Sequence, residues 1–322
     1  MEYQHLPVAL DRVIEILAPV FEKDNNEKLM IDATLGLGGH TYALLERFPN
    51  LKIIGFDRDE VAQSIAKEKL AKFTGRAILV NDRFDSIDKN LDQLLSQGVI
   101  EDNKIDAALF DLGVSSMQLD DAERGFSYIH AGPLDMRMNP KDHISAFEVV
   151  NNYSKNELVR ILRNYGDEKF APRIADFILE ARAVKPIQST IELAEIVKEA
   201  IPAPARRQGG NPAKRTFQAI RIEVNQELES IKSAIPQSLA ALKVSGRVVV
   251  LAYQSLEDKL VKVIFQEYSK NTDLLALPIA LPGSAPKYKV LKAGSELASE
   301  TEIKNNPRAA SLRLRAIERL VA

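Results

Sequence analysis

Three glycines in four positions, Gly36, Gly38 and Gly39, follow the acid that ends the short apolar run KLMID (28 to 32) and lead into a helix-like stretch from His40. Residues without a Cβ let a backbone turn sharply and approach a ligand, and the helix that follows offers N–H groups with no intrahelical partner. The dinucleotide fingerprint G-x-G-x-x-G is broken here by Thr41 at its sixth position, and no Lys-Ser/Thr follows to serve a triphosphate. Asp32 would repel a phosphate and attract a cation. Asp57 closes the next β-rich run, where a carboxylate can accept both hydroxyls of a ribose. The third run closes on Asn81-Asp82, with Phe84 just beyond and placed to stack on a purine. Each feature alone has a plainer reading: a tight connection, a cap by Asp57 or Asp59 on the following helix, a core phenylalanine. Their recurrence at three successive strand ends favours a pocket for a nucleoside with a charged tail, such as S-adenosylmethionine.

The elements that must carry these residues are legible as alternation. LMIDAT, LKIIGFD, AILVND and IDAALFDLG are short β-rich runs separated by helical patterns through the first 113 residues, which implies βαβ units and a parallel sheet covered on both faces. Val61, Ile65, Leu70 and Phe73 recur at helical spacing between the second and third runs. A first helix starts near Pro7 and carries Val13, Ile16, Leu17 and Val20 on one face. The strand pattern then gives way to helices headed by the capping boxes Ser154 to Glu157 and Ser189 to Glu192. It resumes at GRVVVLAYQ (246 to 254) and ends in an alternating run, Ser311 to Ile317, with Arg313 and Arg315 opposite Leu312 and Leu314. The expected organisation is a Rossmann-like α/β domain in two parts, 1–133 and 216–322, interrupted by an all-helical domain over 134–215.

Composition narrows the chemistry. The 322 residues exceed one ordinary compact domain, and 43 basic against 45 acidic side chains exclude a wholly basic nucleic-acid coat, so any RNA site is a local patch. The chain has no cysteine, which removes disulfides, thiolate-ligated zinc, iron–sulfur clusters and thiolate nucleophiles. His5, His40, His130 and His143 show no paired helical spacing, so no metal is expected. The start, MEYQHLPVALDRV, lacks the pattern of a secretory leader, and no apolar run approaches the roughly 18 residues of a membrane span. A cytoplasmic location is expected.

DLGVSSMQLDDAERGFS (111 to 127) and GPLDMRM (132 to 138) carry a resemblance that spans the chain. With HLPV, DATLGLGGH, NPAKRTFQAIRIEVNQEL (211 to 228), QSLEDKLVK (254 to 262) and NPRA (307 to 310), they resemble the bacterial S-adenosylmethionine-dependent methyltransferases of the MraW/RsmH type, which modify N4 of a cytidine in 16S ribosomal RNA of the small subunit. The resemblance implies S-adenosylmethionine as cofactor, with Gly38, Gly39 and His40 in its loop and Asp57, Phe84, Asp111 and Gln118 completing its site. Small-subunit ribosomal RNA, or the assembled subunit, is the implied partner, with no membrane involved and a homodimer left open. One departure stands out. Many relatives read F-H-S-L-E-D where this chain has Tyr253-Gln254-Ser255-Leu256-Glu257-Asp258, so no imidazole is available at 254 and Gln254 offers hydrogen bonds in its place.

Methylation at cytosine C5 needs a covalent thiolate, which this chain cannot supply, so the acceptor is an exocyclic amine or a hydroxyl. A cytosine amine is a weak nucleophile that must be oriented and relieved of developing charge. The turn containing Asp111, Ser115 and Ser116, together with Gln254, is the expected catalytic group. From Pro202 to Ile222 there are no acids, whereas Arg206, Arg207, Lys214, Arg215 and Arg221 form a strip suited to phosphates. Two rivals remain at this stage: a nicotinamide-dependent oxidoreductase, opposed by the broken fingerprint, and a ribosome-assembly RNA-binding factor with little or no methyl transfer.

Overall fold

The structure, a computed structural model, describes residues 7–206, 210–270 and 286–321. His5 and Arg207 therefore lie outside the described residues. Along the chain the elements are α1 (Leu10–Phe21), β1 (Lys28–Asp32), α2 (Gly39–Arg47), β2 (Leu51–Phe56), α3 (Glu60–Lys69), β3 (Ala77–Val80), α4 (Ile87–Ser96) and β4 (Ile105–Asp111). There follow α5 (Ser116–Asp120), α6 (Ala146–Asn152), α7 (Lys155–Gly166), α8 (Ala171–Val184), α9 (Thr190–Ala200), α10 (Ala203–Arg206) and α11 (Lys214–Asn225). The chain closes with α12 (Glu227–Ala241), β5 (Leu242–Ala252), α13 (Ser255–Tyr268), β6 (Tyr288–Val290), α14 (Glu300–Asn305) and β7 (Arg313–Arg319). It divides into two compact units, 1–113 with 228–322, and 114–227.

The first unit is a seven-stranded sheet in the order β3-β2-β1-β4-β5-β7-β6. Strands β1 to β5 run parallel, and β7 is antiparallel to both β5 and β6. Successive residues of one strand enter different cores: Ile31, Ala108, Phe110, Val248 and Val250 join one cluster, Met30, Ala107, Leu109, Val249 and Leu251 the other. Burial on both faces explains why these strands read as continuous apolar runs. Residues of α4, α12 and α13 fill the first cluster, and residues of α1 and α2 the second. This is the Rossmann-like α/β fold expected from the alternation.

Two local readings change. Val61 and Ile65 are exposed on α3, and the residues turned inward are Ala62 and Ala66. The reason lies across the layer: a Cβ on Gly38 would stand 3.5 Å from Ala66 Cβ and 3.2 Å from Leu70 Cδ1, so the helix packs on the glycine loop through small side chains. Arg315, expected on a polar strand face, is buried against Asp258 of α13 in an ion pair of 2.7 Å.

The second unit is helical, with a core that includes Val149, Leu158, Ile161, Ile174, Ile178, Leu193, Val197, Phe217 and Ile220. Capping boxes start α6 at Ser145, α7 at Ser154 and α9 at Ser189, each closed by a glutamate three residues on. The residues 134 and 215 expected as its limits fall inside this unit. At one end, Phe126 belongs to the helical core, and Gly125, in the left-handed region at φ 71°, passes so close to Pro133 that a Cβ would sit 2.2 Å from its carbonyl oxygen. At the other, α11 begins at Lys214 and commits Phe217, Ile220 and Val224 to the same core.

Candidate functional site

The carboxyl ends of β1, β2, β3 and β4 gather the expected residues of the first unit at the point where strand order reverses, between β1 and β4. Backbone bonds fix this edge. Ala33 N–H donates to the Leu109 carbonyl at 2.9 Å, Leu35 N–H to that of Phe56 at 2.9 Å, and Asp57 N–H to that of Val80 at 3.2 Å.

The glycine loop is left-handed at Gly36 (φ 52°) and Gly38 (φ 72°), and Gly38 is the N-cap of α2. Gly39 is constrained by contact instead, since a Cβ there would lie 2.8 Å from Pro7 Cγ. Asp57 closes the loop from the side: its Oδ2 accepts from Gly36 N–H at 2.9 Å and its Oδ1 from Asp59 N–H at 2.8 Å. Burial pushes its carboxyl up to about 6, the two N–H bonds pulling the other way. Asp59, not Asp57, caps α3, accepting from Val61 N–H and Ala62 N–H.

Asp32 is buried beneath the loop's following helix and accepts from Thr41 Oγ1 at 2.7 Å and from Thr34 N–H at 3.3 Å. Burial raises its carboxyl above the ordinary range, and the Thr41 bond opposes this. The residue that breaks the dinucleotide fingerprint is thus the one whose hydroxyl holds Asp32. His40 is buried with Nε2 2.9 Å from the Val8 carbonyl oxygen, so Nε2–H is the donor, and Nδ1 stands 3.8 Å from Asp111 Oδ2.

Asp111 ends β4 and is held at both its main chain and its side chain. Its N–H donates to Thr34 Oγ1 at 2.6 Å, and its Oδ1 accepts from the Tyr253 hydroxyl at 2.7 Å. Burial and the adjacent Asp111 carboxylate push the Tyr253 phenol far above its usual range, which keeps it a donor. Phe84 is half-buried, edge-on to Phe110 at 5.9 Å and packed against the sheet core. Gln254 is the N-cap of α13; its N–H and that of Tyr253 both donate to Glu257 Oε2, at 3.1 and 3.0 Å. Its side-chain Oε1 is buried with no hydrogen-bond partner.

In the helical unit, Ser115 caps α5 in a box with Gln118: Ser115 N–H donates to Gln118 Oε1 at 3.1 Å and Gln118 N–H to Ser115 Oγ at 3.2 Å. Ser116 opens that helix. The basic strip does not act as one set. Lys214 and Arg215 are exposed at the start of α11, with Arg215 donating to the Asp167 carbonyl at 3.1 Å, and Arg206 donates through Nε to the Ile201 carbonyl at 2.7 Å. Arg221 forms a two-pronged ion pair with Glu227 at 2.8 and 2.9 Å, with its guanidinium largely covered.

Thr34, Thr41 and Tyr253 are the site residues that sequence reasoning passed over. Thr41 carried a signal as the interruption of a known spacing, and Tyr253 as the departure from the Phe of F-H-S-L-E-D. Among the described residues no cluster of three or more histidines and acids is placed to hold a metal ion, and no helix is long and apolar enough to cross a membrane.

The donor set fits a nucleoside with a cationic tail: a left-handed glycine loop at Gly36 and Gly38, a carboxylate at each of three strand ends and an orphaned buried acceptor at Gln254. Comparison with known proteins agrees with a methylase. The model of the MraW methylase family matches residues 2–320. The "Ribosomal RNA small subunit methyltransferase H" of Mycolicibacterium smegmatis is 51% identical over 322 residues, covering 99% of this chain and 85% of its own. The protein of the same name from Nocardia farcinica is 48% identical, covering 99% and 97%. With glycine loop, strand-end acids and full-length similarity in agreement, the chain belongs to the MraW methylase family.

Proposed function

We propose that this protein transfers a methyl group from S-adenosylmethionine to the exocyclic N4 of a cytidine in 16S ribosomal RNA of the small subunit. The observation that carries the reading is the set of acids Asp32, Asp57 and Asp111 around a left-handed glycine loop at the strand-order reversal, in a chain about half identical to proteins named ribosomal RNA small subunit methyltransferase H. When bound, S-adenosylmethionine supplies an activated methyl group on a sulfonium, and the chain's residues supply binding and alignment.

Asp57, which already accepts two N–H bonds, has lone pairs left for two ribose hydroxyls. Asp32, with Thr41 holding one oxygen, presents negative charge to the cationic end of the cofactor. Phe84 offers an apolar edge to the purine, and His40, pinned through Nε2, lines the loop. Asp111 and the buried Oε1 of Gln254 are acceptors for the amine, orienting its lone pair and taking up the positive charge that grows on nitrogen. Cytidine must be unstacked or single-stranded to present N4. Lys214, Arg215 and Arg206, with Arg207, are the phosphate contacts; Arg221, neutralised by Glu227, serves the helical unit itself.

Labelled S-adenosylmethionine incubated with naked 16S RNA or with unmodified small subunits, followed by mass-spectrometric mapping of the methyl, tests this. Label on a cytidine N4 supports the reading. RNA binding that is indifferent to cofactor and yields no methyl product replaces it with an assembly factor.

A further inference from the structure

We propose that Tyr253 is a positioning residue for the reaction: its hydroxyl fixes the Asp111 carboxylate in the orientation in which it meets the acceptor amine. This rests on the methyl-transfer reading and gives a role to a residue that the motif comparison quoted without one.

Asp111 has its main chain tied to the β1 turn by the bond to Thr34 Oγ1, so what remains to be set is the rotation of its carboxylate. The Tyr253 hydroxyl holds Oδ1 at 2.7 Å, and His40 Nδ1 stands 3.8 Å from Oδ2. His40 is itself anchored by the Val8 carbonyl at 2.9 Å. Tyr253 suits the task because it cannot move far. It follows β5 directly, its N–H is bonded to the buried Glu257 carboxylate at 3.0 Å, and its ring packs with the core on the α1 side of the sheet. Gly113 leaves room for that ring, since even a Cβ there would stand 3.7 Å from its Cδ2. The phenol is a rigid donor with few rotatable bonds, and a hydrogen bond donated to a carboxylate is among the stronger kinds. In the F-H-S-L-E-D pattern the residue at this position has no hydroxyl, so the bond to Asp111 is one that pattern cannot make.

Tyr253→Phe removes one oxygen and keeps the ring. Loss of a charge-assisted bond predicts a fall in kcat of about 10- to 100-fold, with affinity for S-adenosylhomocysteine, by calorimetry, falling by a clearly smaller factor even though Asp111 also borders the cofactor. A fold defect would instead move affinity, melting temperature and turnover together. Asp111→Asn supplies the second measurement: in that background Tyr253→Phe costs less than about threefold further in single-turnover rate, because the partner it positions is already altered. Wild-type kcat in Tyr253→Phe, an equal loss of cofactor affinity, or full additivity with Asp111→Asn each overturn the proposal. Wild-type protein that binds S-adenosylhomocysteine but methylates nothing overturns the methyl-transfer reading and this inference with it. Active wild type with an indifferent Tyr253→Phe overturns the inference alone.

Discussion

Lowering the pH from 7 to 5 is expected to weaken binding of S-adenosylhomocysteine about tenfold through Asp57 alone. The carboxyl is pushed up from its ordinary 3.8 to about 6, chiefly by burial. If only the carboxylate accepts the ribose hydroxyls, about nine-tenths of the protein is competent at pH 7 and about one-tenth at pH 5, a loss of about 1.4 kcal/mol. The sign follows from the acid: affinity is flat above the pKa and falls as pH drops through about 6. Calorimetry at several pH values, in buffers of different ionisation enthalpy, should also show release of about half a proton on binding near pH 6. Asp57→Asn should bind weakly but with a flatter profile, which separates Asp57 from other groups, including the raised carboxyl of Asp32. Free of ligand, a raised carboxyl favours the folded state only while protonated; that contribution is whole below about 4 and lost as pH rises through about 6. Its ceiling is about 3 kcal/mol for a group this buried. Ligand should therefore raise the melting temperature more at pH 7 than at pH 5. A wild-type affinity that does not change between pH 5 and 7, or a variant with the wild-type slope, refutes the assignment.

Gly38→Ala forces a Cβ into the left-handed region and to 3.2 Å from Leu70, so it should cost about 1–2 kcal/mol in a denaturant titration and abolish detectable cofactor binding. Arg315→Met strands the Asp258 carboxylate between α13 and β7 and should destabilise the protein by about 3–5 kcal/mol, whereas replacing both partners with apolar residues should cost much less. Reversal of that order in urea melts would show the pair to be solvent-screened. Replacing Lys214 and Arg215 together with glutamine should lower the slope of log affinity against log salt for the RNA by about 1.4 to 2, with cofactor affinity unchanged. An unaltered slope would remove the start of α11 from the RNA surface.

The legible part of this molecule is what repeats. Alternating apolar runs gave the sheet and its two-sided burial, because a parallel strand covered on both faces leaves no polar face in its sequence. The strand-end acids Asp32 and Asp57 were legible for the same reason, since open α/β sheets present ligands along one edge and the runs mark where that edge lies, whereas Asp111 entered through the family resemblance alone. What stayed hidden depends on pairs far apart in sequence. Nothing near Tyr253 announces that its hydroxyl meets Asp111, 142 residues earlier, and nothing near Arg221 separates a phosphate contact from a guanidinium consumed by Glu227. The exposed Val61 and Ile65 err in the same direction: helical spacing names a face, but Gly38 across the layer decides that alanines occupy it. Charge and periodicity are properties of one segment, whereas the commitment of a side chain is a property of two. A strand-end carboxylate such as Asp57 can thus be found from its strand, while the bond from the Tyr253 hydroxyl to Asp111 is found only once β4 and β5 lie side by side.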